Sequence, residues 1–338
     1  MSSTEPTSAI SADHSTAGPP SAAGSPALGA GEELRQASVA ELMRALMRSL
    51  RPQQWIKNLF VLAPLFFSKT FLIPSKLALG FGAAFLFCMT AGTVYLLNDI
   101  FDVAKDRAHP VKRHRPIASG ALPLSVARMS AVTLGLGSVA CALLVDLGFA
   151  LVLGGYLLMN LAYSMQLKHL AFIDVSIIAV GFVLRVVAGA LAIDVYISEW
   201  LLACTFFLAL YLGLGKRQHE LNMFLAGEVS KTRKVLERYR AEHLDFGVLF
   251  VAGMTIAVYT IYTLTAALPD QPLRTHQTPF ASAYLPITIP FAVFGITRFY
   301  QLIKKDSPYS PTDLLLRDWP FIVNLALWGV VMSVLSFL

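Results

Sequence analysis

The chain has 338 residues, of which 56% are apolar and only 14% charged, with a mean hydropathy of +0.61. That is too oily for a soluble domain of this length. The net charge of +6 raises the question of a nucleic-acid partner, and the placement of the basic residues excludes one. With the N-terminus in the cytoplasm, about 22 of the 27 Lys and Arg fall on inside segments, while Lys69, Lys76 and Arg274 fall outside. The positive-inside rule therefore accounts for the basic charge. It predicts a multi-pass protein of the plasma membrane, with no nucleic acid bound and the lipid bilayer as a partner.

A spanning helix needs about 20 mostly apolar residues. Such runs occur around 57–74, 77–98, 121–143, 147–166, 172–193, 200–215, 246–267, 284–303 and 319–337. The predicted fold class is an all-α integral membrane bundle of about nine transmembrane helices. Cys88, Cys141 and Cys204 lie singly within these runs, without zinc or CxxC spacing, and read as small core residues.

Residues 1–38 are rich in Ser, Ala, Gly, Pro and Thr, which predicts a disordered tail before a membrane domain over 39–338. No basic region followed by an apolar run marks a secretory signal. Arg44, Arg48 and Arg51 then recur at helical spacing among Leu42, Met43, Leu46, Met47 and Leu50, as in a short helix lying on the cytoplasmic leaflet. The polar cluster RPQQWIKN, Arg51 to Asn58, abuts the first span. Trp55, Trp200 and Trp319 suit the headgroup level. Lys57 suits either a snorkelling anchor or a phosphate contact.

The most informative stretch follows the second span: NDIFDVAKDRAHPVKRHRPIASG, Asn98 to Gly120. On a helix, Asp99, Asp102 and Asp106 share one face about two turns long. Three carboxylates so close repel one another unless a hard divalent cation such as Mg2+ relieves them, and Mg2+ binds through carboxylates, water and substrate phosphate oxygens. His109-Pro110 must interrupt the helix. The fourth and fifth spans are joined by the short segment Tyr163 to Asp174, which makes them antiparallel neighbours and puts Tyr163, Lys168 and Asp174 at the same membrane surface. Arg185 lies deep in the fifth span, where a cation must face a polar cavity or an ion-pair partner. Lys216 and Arg217 sit hard against the membrane at the end of the sixth span. The charged loop Glu228 to Glu242 reads as a solvated helix face, and the last three spans as scaffold and lipid-facing wall.

The NDxxDxxxD pattern followed by RPIASG, within about nine spans, resembles the UbiA superfamily of membrane prenyltransferases, whose members bind a Mg2+-diphosphate at such a motif. LRPQQWIKNLFVLAPLFFS (Leu50 to Ser68), YSMQLKH, GFVLRVVAGA (Gly181 to Ala190) and LGKRQHEL are similar to the decaprenyl-phosphate phosphoribosyltransferase branch. The resemblance implies transfer of the 5-phosphoribosyl group from 5-phosphoribosyl-1-diphosphate to a polyprenyl phosphate at a cytoplasmic site, with release of diphosphate, toward the arabinose donor of cell-wall arabinan. It implies Mg2+ held by Asp99, Asp102 and Asp106, with Asn98 beside them as catalytic residues. It also implies substrate contacts from Gln54, Lys57, Lys112, Arg115, Tyr163, Lys168, Asp174, Arg185, Lys216 and Arg217. The second motif departs from the paired aspartates common in aromatic prenyltransferases, being one acid poorer and one lysine richer. A homo-oligomer is compatible with this reading. The alternative is transfer of a prenyl group from prenyl diphosphate to an aromatic or isoprenoid acceptor. A transporter fits less well, because the acidic cluster lies at the membrane surface rather than the midplane.

Overall fold

The computed structural model describes residues 38–196, 198–226, 236, 239–267, 282–305, 307 and 309–337. The predicted disordered tail, apart from Ser38, lies outside these residues, as do Arg274 and most of the charged loop 228–242. The described residues form helices and turns, without strands.

Helix α1, Val39–Ser49, is opened by a reciprocal cap in which Glu41 N–H donates to Ser38 Oγ and Ser38 N–H to the Glu41 carboxylate. Its Val39, Met43 and Met47 are exposed, while Ala45 and Ser49 pack inward. The first predicted span departs from an ordinary helix. It runs as a 3-10 segment, Pro52–Leu62, into the five-residue helix α2, Ala63–Phe67. At about 2.0 Å per 3-10 residue and 1.5 Å per α residue the two together extend roughly 30 Å, still a membrane's thickness.

The physical reason for the thin first segment is the neighbour it meets. A Cβ on Gly189 would collide with the backbone of Val61, so backbone lies on backbone there, and the slimmer 3-10 form suits that approach. The long helices follow: α3 Pro74–Phe101, α5 Leu124–Leu143, α6 Leu147–Met165, α7 Ile173–Ala192, α8 Glu199–Leu225, α9 Ala241–Ala267 and α10 Ile289–Ile303. These seven, α10 counted with the turn before it, are long and apolar enough to cross a membrane, and α12, Trp319–Phe337, is a shorter apolar helix. The short helices α4, Val103–Arg107, and α11, Pro311–Leu315, join them. The chain is a multi-pass membrane protein.

Packing is organised in two centres. Phe87, Phe149, Leu153 and Tyr156 knit α3, α6 and α7 together beside Val61, while Tyr211, Leu214, Val248 and Phe299 knit α8, α9 and α10. Outward side chains such as Leu136, Leu151 and Leu158 stay about two-thirds exposed, as lipid-facing positions do. Successive spans run antiparallel, so the ends of α3, α6, α8 and α10 and the starts of α5, α7, α9 and α12 gather at one end of the bundle, with most of the charged side chains.

Candidate active site

At that end the α-helix ends at Phe101, and Asp102, with φ −94° and ψ 8°, stands between α3 and α4. The chain does not leave its path, since Asp102 N–H still donates to Asn98 C=O at 3.0 Å and Asp106 N–H to Asp102 C=O at 2.8 Å. The three aspartates therefore stay on neighbouring turns, in very different surroundings. Asp99 is 3% exposed, and its Oδ1 accepts from Arg51 Nη2 at 2.6 Å and Arg115 Nη1 at 3.1 Å. The same Arg115 Nη1 donates to Asp106 Oδ2 at 2.7 Å. Asp102 is half-buried and has only longer lysine contacts, 3.4 Å to Lys105 and 3.6 Å to Lys168.

The three carboxylates expected to share a metal do not meet at one point in this geometry. Among the described residues no three His, Cys, Asp or Glu side chains converge on a metal position, because Arg115 takes the place between Asp99 and Asp106. Asp102 is the member that keeps loosely held carboxylate oxygens, and the Asn98 side chain is half-buried one turn earlier. One carboxylate with open oxygens fits a Mg2+-type ion, which takes one or two carboxylates and completes its shell with water and substrate phosphate.

Arg51 was missed by sequence reasoning, although it opens the RPQQWIKN cluster. Its backbone is left-handed at φ 53°, a conformation that costs about 1 kcal/mol for a residue with a Cβ. The guanidinium also lies 5.0 Å over the Tyr95 ring. A strained residue held by a buried carboxylate and a ring is a positioned one. Arg115 is set by its own extended backbone before Pro116, and Arg107 Nε ties the returning loop down through Ala118 C=O at 3.2 Å. Lys112 is exposed on that loop.

The second loop brings Lys168 to Asp102, at 3.6 Å. Asp174 and Arg217, expected as substrate contacts, are drawn into a buried network. Asp174 is fully buried, accepting from Arg217 Nε at 2.8 Å and from Tyr239 O–H at 2.6 Å. Arg217 donates also to Glu220 at 2.8 Å, and Tyr163 lies within its electrostatic reach. Tyr239 O–H in turn accepts from Phe172 N–H at 2.7 Å. Burial and the neighbouring carboxylate push the Tyr239 phenol upward, which keeps it a neutral donor. These groups close on one another and pin α7 to α8.

A third group lies on the 3-10 segment and α7. Arg185 is 6% exposed, donating to Asn58 Oδ1 at 2.8 Å, Gly181 C=O at 2.7 Å and Tyr156 O–H at 3.0 Å. The rings of Phe87, Tyr156 and Phe182 each stand 5.1 Å from its guanidinium carbon. Among the described residues no carboxylate stands within ion-pair distance of it, and neutral acceptors and rings surround it. Lys57 is exposed and Lys216 half-buried, and both Lys216 and Arg185 act electrostatically on Lys57. Gln54 is half-buried on the same segment.

The chain is similar to proteins with solved or described counterparts. Residues 58–325 match the UbiA prenyltransferase family. A protein from Mycolicibacterium smegmatis named decaprenyl-phosphate phosphoribosyltransferase is 34% identical over 284 residues, covering 82% of this chain and 87% of its own. One of the same name from Corynebacterium glutamicum is 32% identical over 300 residues, covering 85% and 88%. A solved structure, a UbiA homolog from Archaeoglobus fulgidus bound to DMAPP and Mg2+, superposes with a TM-score of 0.61 at 17% identity, over 87% of this chain and 99% of that one. With the family match spanning most of the chain and the bundle agreeing in fold, the chain belongs to the UbiA prenyltransferase family.

Proposed function

We propose that this chain transfers the 5-phosphoribosyl group of 5-phosphoribosyl-1-diphosphate to a polyprenyl phosphate, decaprenyl phosphate by analogy with its relatives, and releases diphosphate. The product is on the way to the arabinose donor of cell-wall arabinan. The observation that carries this reading is the second loop: it offers Asp102 a lysine, Lys168, at 3.6 Å and buries its one carboxylate, Asp174, against Arg217. A site that is richer in cations than in acids suits two phosphate-bearing substrates better than an aromatic acceptor. The names of the relatives support the same reaction.

In this reading the membrane domain, residues 39–338, is the catalytic unit, and its charged end faces the cytoplasm of a plasma membrane. Mg2+, when bound, offsets charge that builds on the departing diphosphate. Asp102 would supply carboxylate oxygens for it, with Asn98 nearby as a neutral oxygen or amide. Asp99 and Asp106 hold Arg115 and Arg51 at the edge of the site, where their remaining N–H groups can bind diphosphate oxygens. The bond between C1 of the ribose and the diphosphate oxygen breaks, its electron pair leaving with the diphosphate. An oxygen of the lipid phosphate forms the new bond to C1, which passes through oxocarbenium character. The lipid phosphate is already ionised at neutral pH, so the reaction needs no general base, and the absence of a Ser-His or Cys-His pair from the motifs is consistent with that.

The test is incubation of membranes containing the protein with labelled 5-phosphoribosyl-1-diphosphate, polyprenyl phosphate and Mg2+. Labelled phosphoribosyl lipid is expected, and its formation should stop with EDTA. Failure there, with prenyl transfer from a prenyl diphosphate to an aromatic acceptor instead, would replace this reading by the alternative.

A further inference from the structure

We infer that α1 and the basic loop packed behind it form a docking surface for anionic phospholipid headgroups, in the leaflet at the charged end of the bundle. Three faces of α1 are told apart by what they meet. Ala45 and Ser49 are buried, and Ala45, Leu46 and Leu50 join Leu96 of α3, Ile117 and Leu122 of the returning loop and Ala127 of α5 in one apolar cluster. Val39, Met43 and Met47 recur at every fourth position and are 79%, 56% and 40% exposed, a bare apolar ridge. Arg44 and Arg48, also exposed, lie about 120° round the helix from the middle of that ridge at 3.6 residues per turn. Such a helix lies in a lipid surface with its ridge at the acyl boundary and its cations among the headgroups.

The packing holds α1 at the depth this requires. A Cβ on Gly92 would stand 2.7 Å from Leu50 Cδ2, so the end of α1 is pressed against the closing turns of α3, a helix long and apolar enough to span. Trp55, a residue suited to the headgroup level, donates from Nε1 to Leu50 C=O at 3.2 Å and fixes the same point.

The charge of this surface is unspent. Glu41 is the one acid of α1, and its carboxylate accepts from Ser38 N–H at 2.9 Å at the start of the helix. Among the described residues, Arg44, Arg48, Lys112 and Arg113 have no carboxylate within ion-pair distance. Lys112 and Arg113 are exposed on the loop whose Ile117 and Leu122 pack with α1. Cations so placed attract a headgroup of net negative charge and gain little from a zwitterionic one. At 11 residues, α1 is too short to be stable alone, and it leads through buried Leu50 straight into Arg51 on Asp99. Lipid that holds α1 therefore also holds the first residue of the candidate site.

The experiment places the purified full-length protein in nanodiscs of phosphatidylcholine alone and of phosphatidylcholine mixed with phosphatidylglycerol, and follows amide hydrogen exchange over residues 39–50 by mass spectrometry. Exchange should be about thirtyfold slower in the anionic discs, the effect of two basic side chains at a charged surface. The difference should shrink in high salt and in Arg44→Gln/Arg48→Gln, and persist in Arg44→Lys/Arg48→Lys. Met43→Ser/Met47→Ser should speed exchange in both kinds of disc. Equal exchange in the two discs, or a difference undiminished by the Gln pair, would overturn the surface. Protection seen in both discs and lost when each disc holds a single chain would give the ridge to a second copy of the chain instead. In the transfer assay, which rests on the proposed reaction, the Gln pair should raise KM for the ribosyl donor several-fold in anionic discs and leave it unchanged in phosphatidylcholine. A rise in both would put the arginines on the donor rather than on lipid. The exchange readout needs no turnover, so an α1 that responds to phosphatidylglycerol in a protein that makes no phosphoribosyl lipid would overturn the transfer and leave the surface standing.

Discussion

Two clusters at the same end of the bundle are made of the same groups, aspartate and arginine, and differ in what they can do. In one, Arg51 and Arg115 bind Asp99 and Asp106 while remaining about 30% exposed themselves. In the other, Arg217 binds Asp174 and both side chains are at most 3% exposed. An incoming diphosphate can compete for a cation that still has donors facing outward. It cannot reach one that is closed off by Tyr239 and Glu220. Exposure of the cation, rather than the presence of an ion pair, separates a site from a brace.

The comparison is broken most forcefully at Arg217. Arg217→Met should leave the Asp174 charge buried without its partner, at a cost of about 3–5 kcal/mol, seen as loss of folded protein by size exclusion and thermal unfolding. An Arg217→Met protein of normal stability and lowered activity would instead put this pair in the site. The converse experiment is Asp102→Asn, which should lower kcat by about a hundredfold or more with the unfolding temperature unchanged, because Asp102 has only long contacts. A retained kcat would show that the carboxylate is not the one that matters.

Gly189→Ala sharpens the contrast. It should push the 3-10 segment off α7, at a cost of about 1–3 kcal/mol from overpacking. Because that segment leads back to Arg51 and carries Asn58, activity should fall further than stability alone explains, and Tyr239 accessibility, read by its fluorescence, should not change. The smallest effect is expected at the surface pair Arg298–Asp318, a bidentate contact at 3.0 and 2.7 Å. The Arg298 guanidinium holds the Asp318 carboxyl below its usual range, so its contribution to stability is complete above the ordinary carboxylate pKa, about 4. It is lost only as pH falls through the depressed folded value. Unfolding temperatures of wild type and Asp318→Asn should therefore converge at strongly acidic pH and differ slightly at neutral pH.

Much of the candidate site's geometry was legible because its parts are local. Asn98, Asp99, Asp102 and Asp106 lie within nine residues, and Lys168 lies on a connection too short to go elsewhere. What was not legible depends on distant partners: Arg51 meets Asp99 across 48 positions, Tyr239 meets Asp174 across 65 and Arg185 meets Asn58 across 127. No spacing rule links residues so far apart, and Tyr156 in the middle of an apolar helix carries no polar pattern around it. Arg185 was visible as a deep cation, yet its ring-lined, carboxylate-free surroundings come from three different segments.

The amino-acid order alone determined that the chain crosses a membrane many times, which end collects its charge and where an acidic motif lies, since hydropathy and short spacings act between near neighbours. Only the tertiary structure decided which of those acids stay open, through Arg51 and Arg115 arriving from outside the helix that carries them. It likewise decided that the first span thins to a 3-10 segment, because backbone contact at Gly189 is a property of two elements pressed together and of neither one by itself.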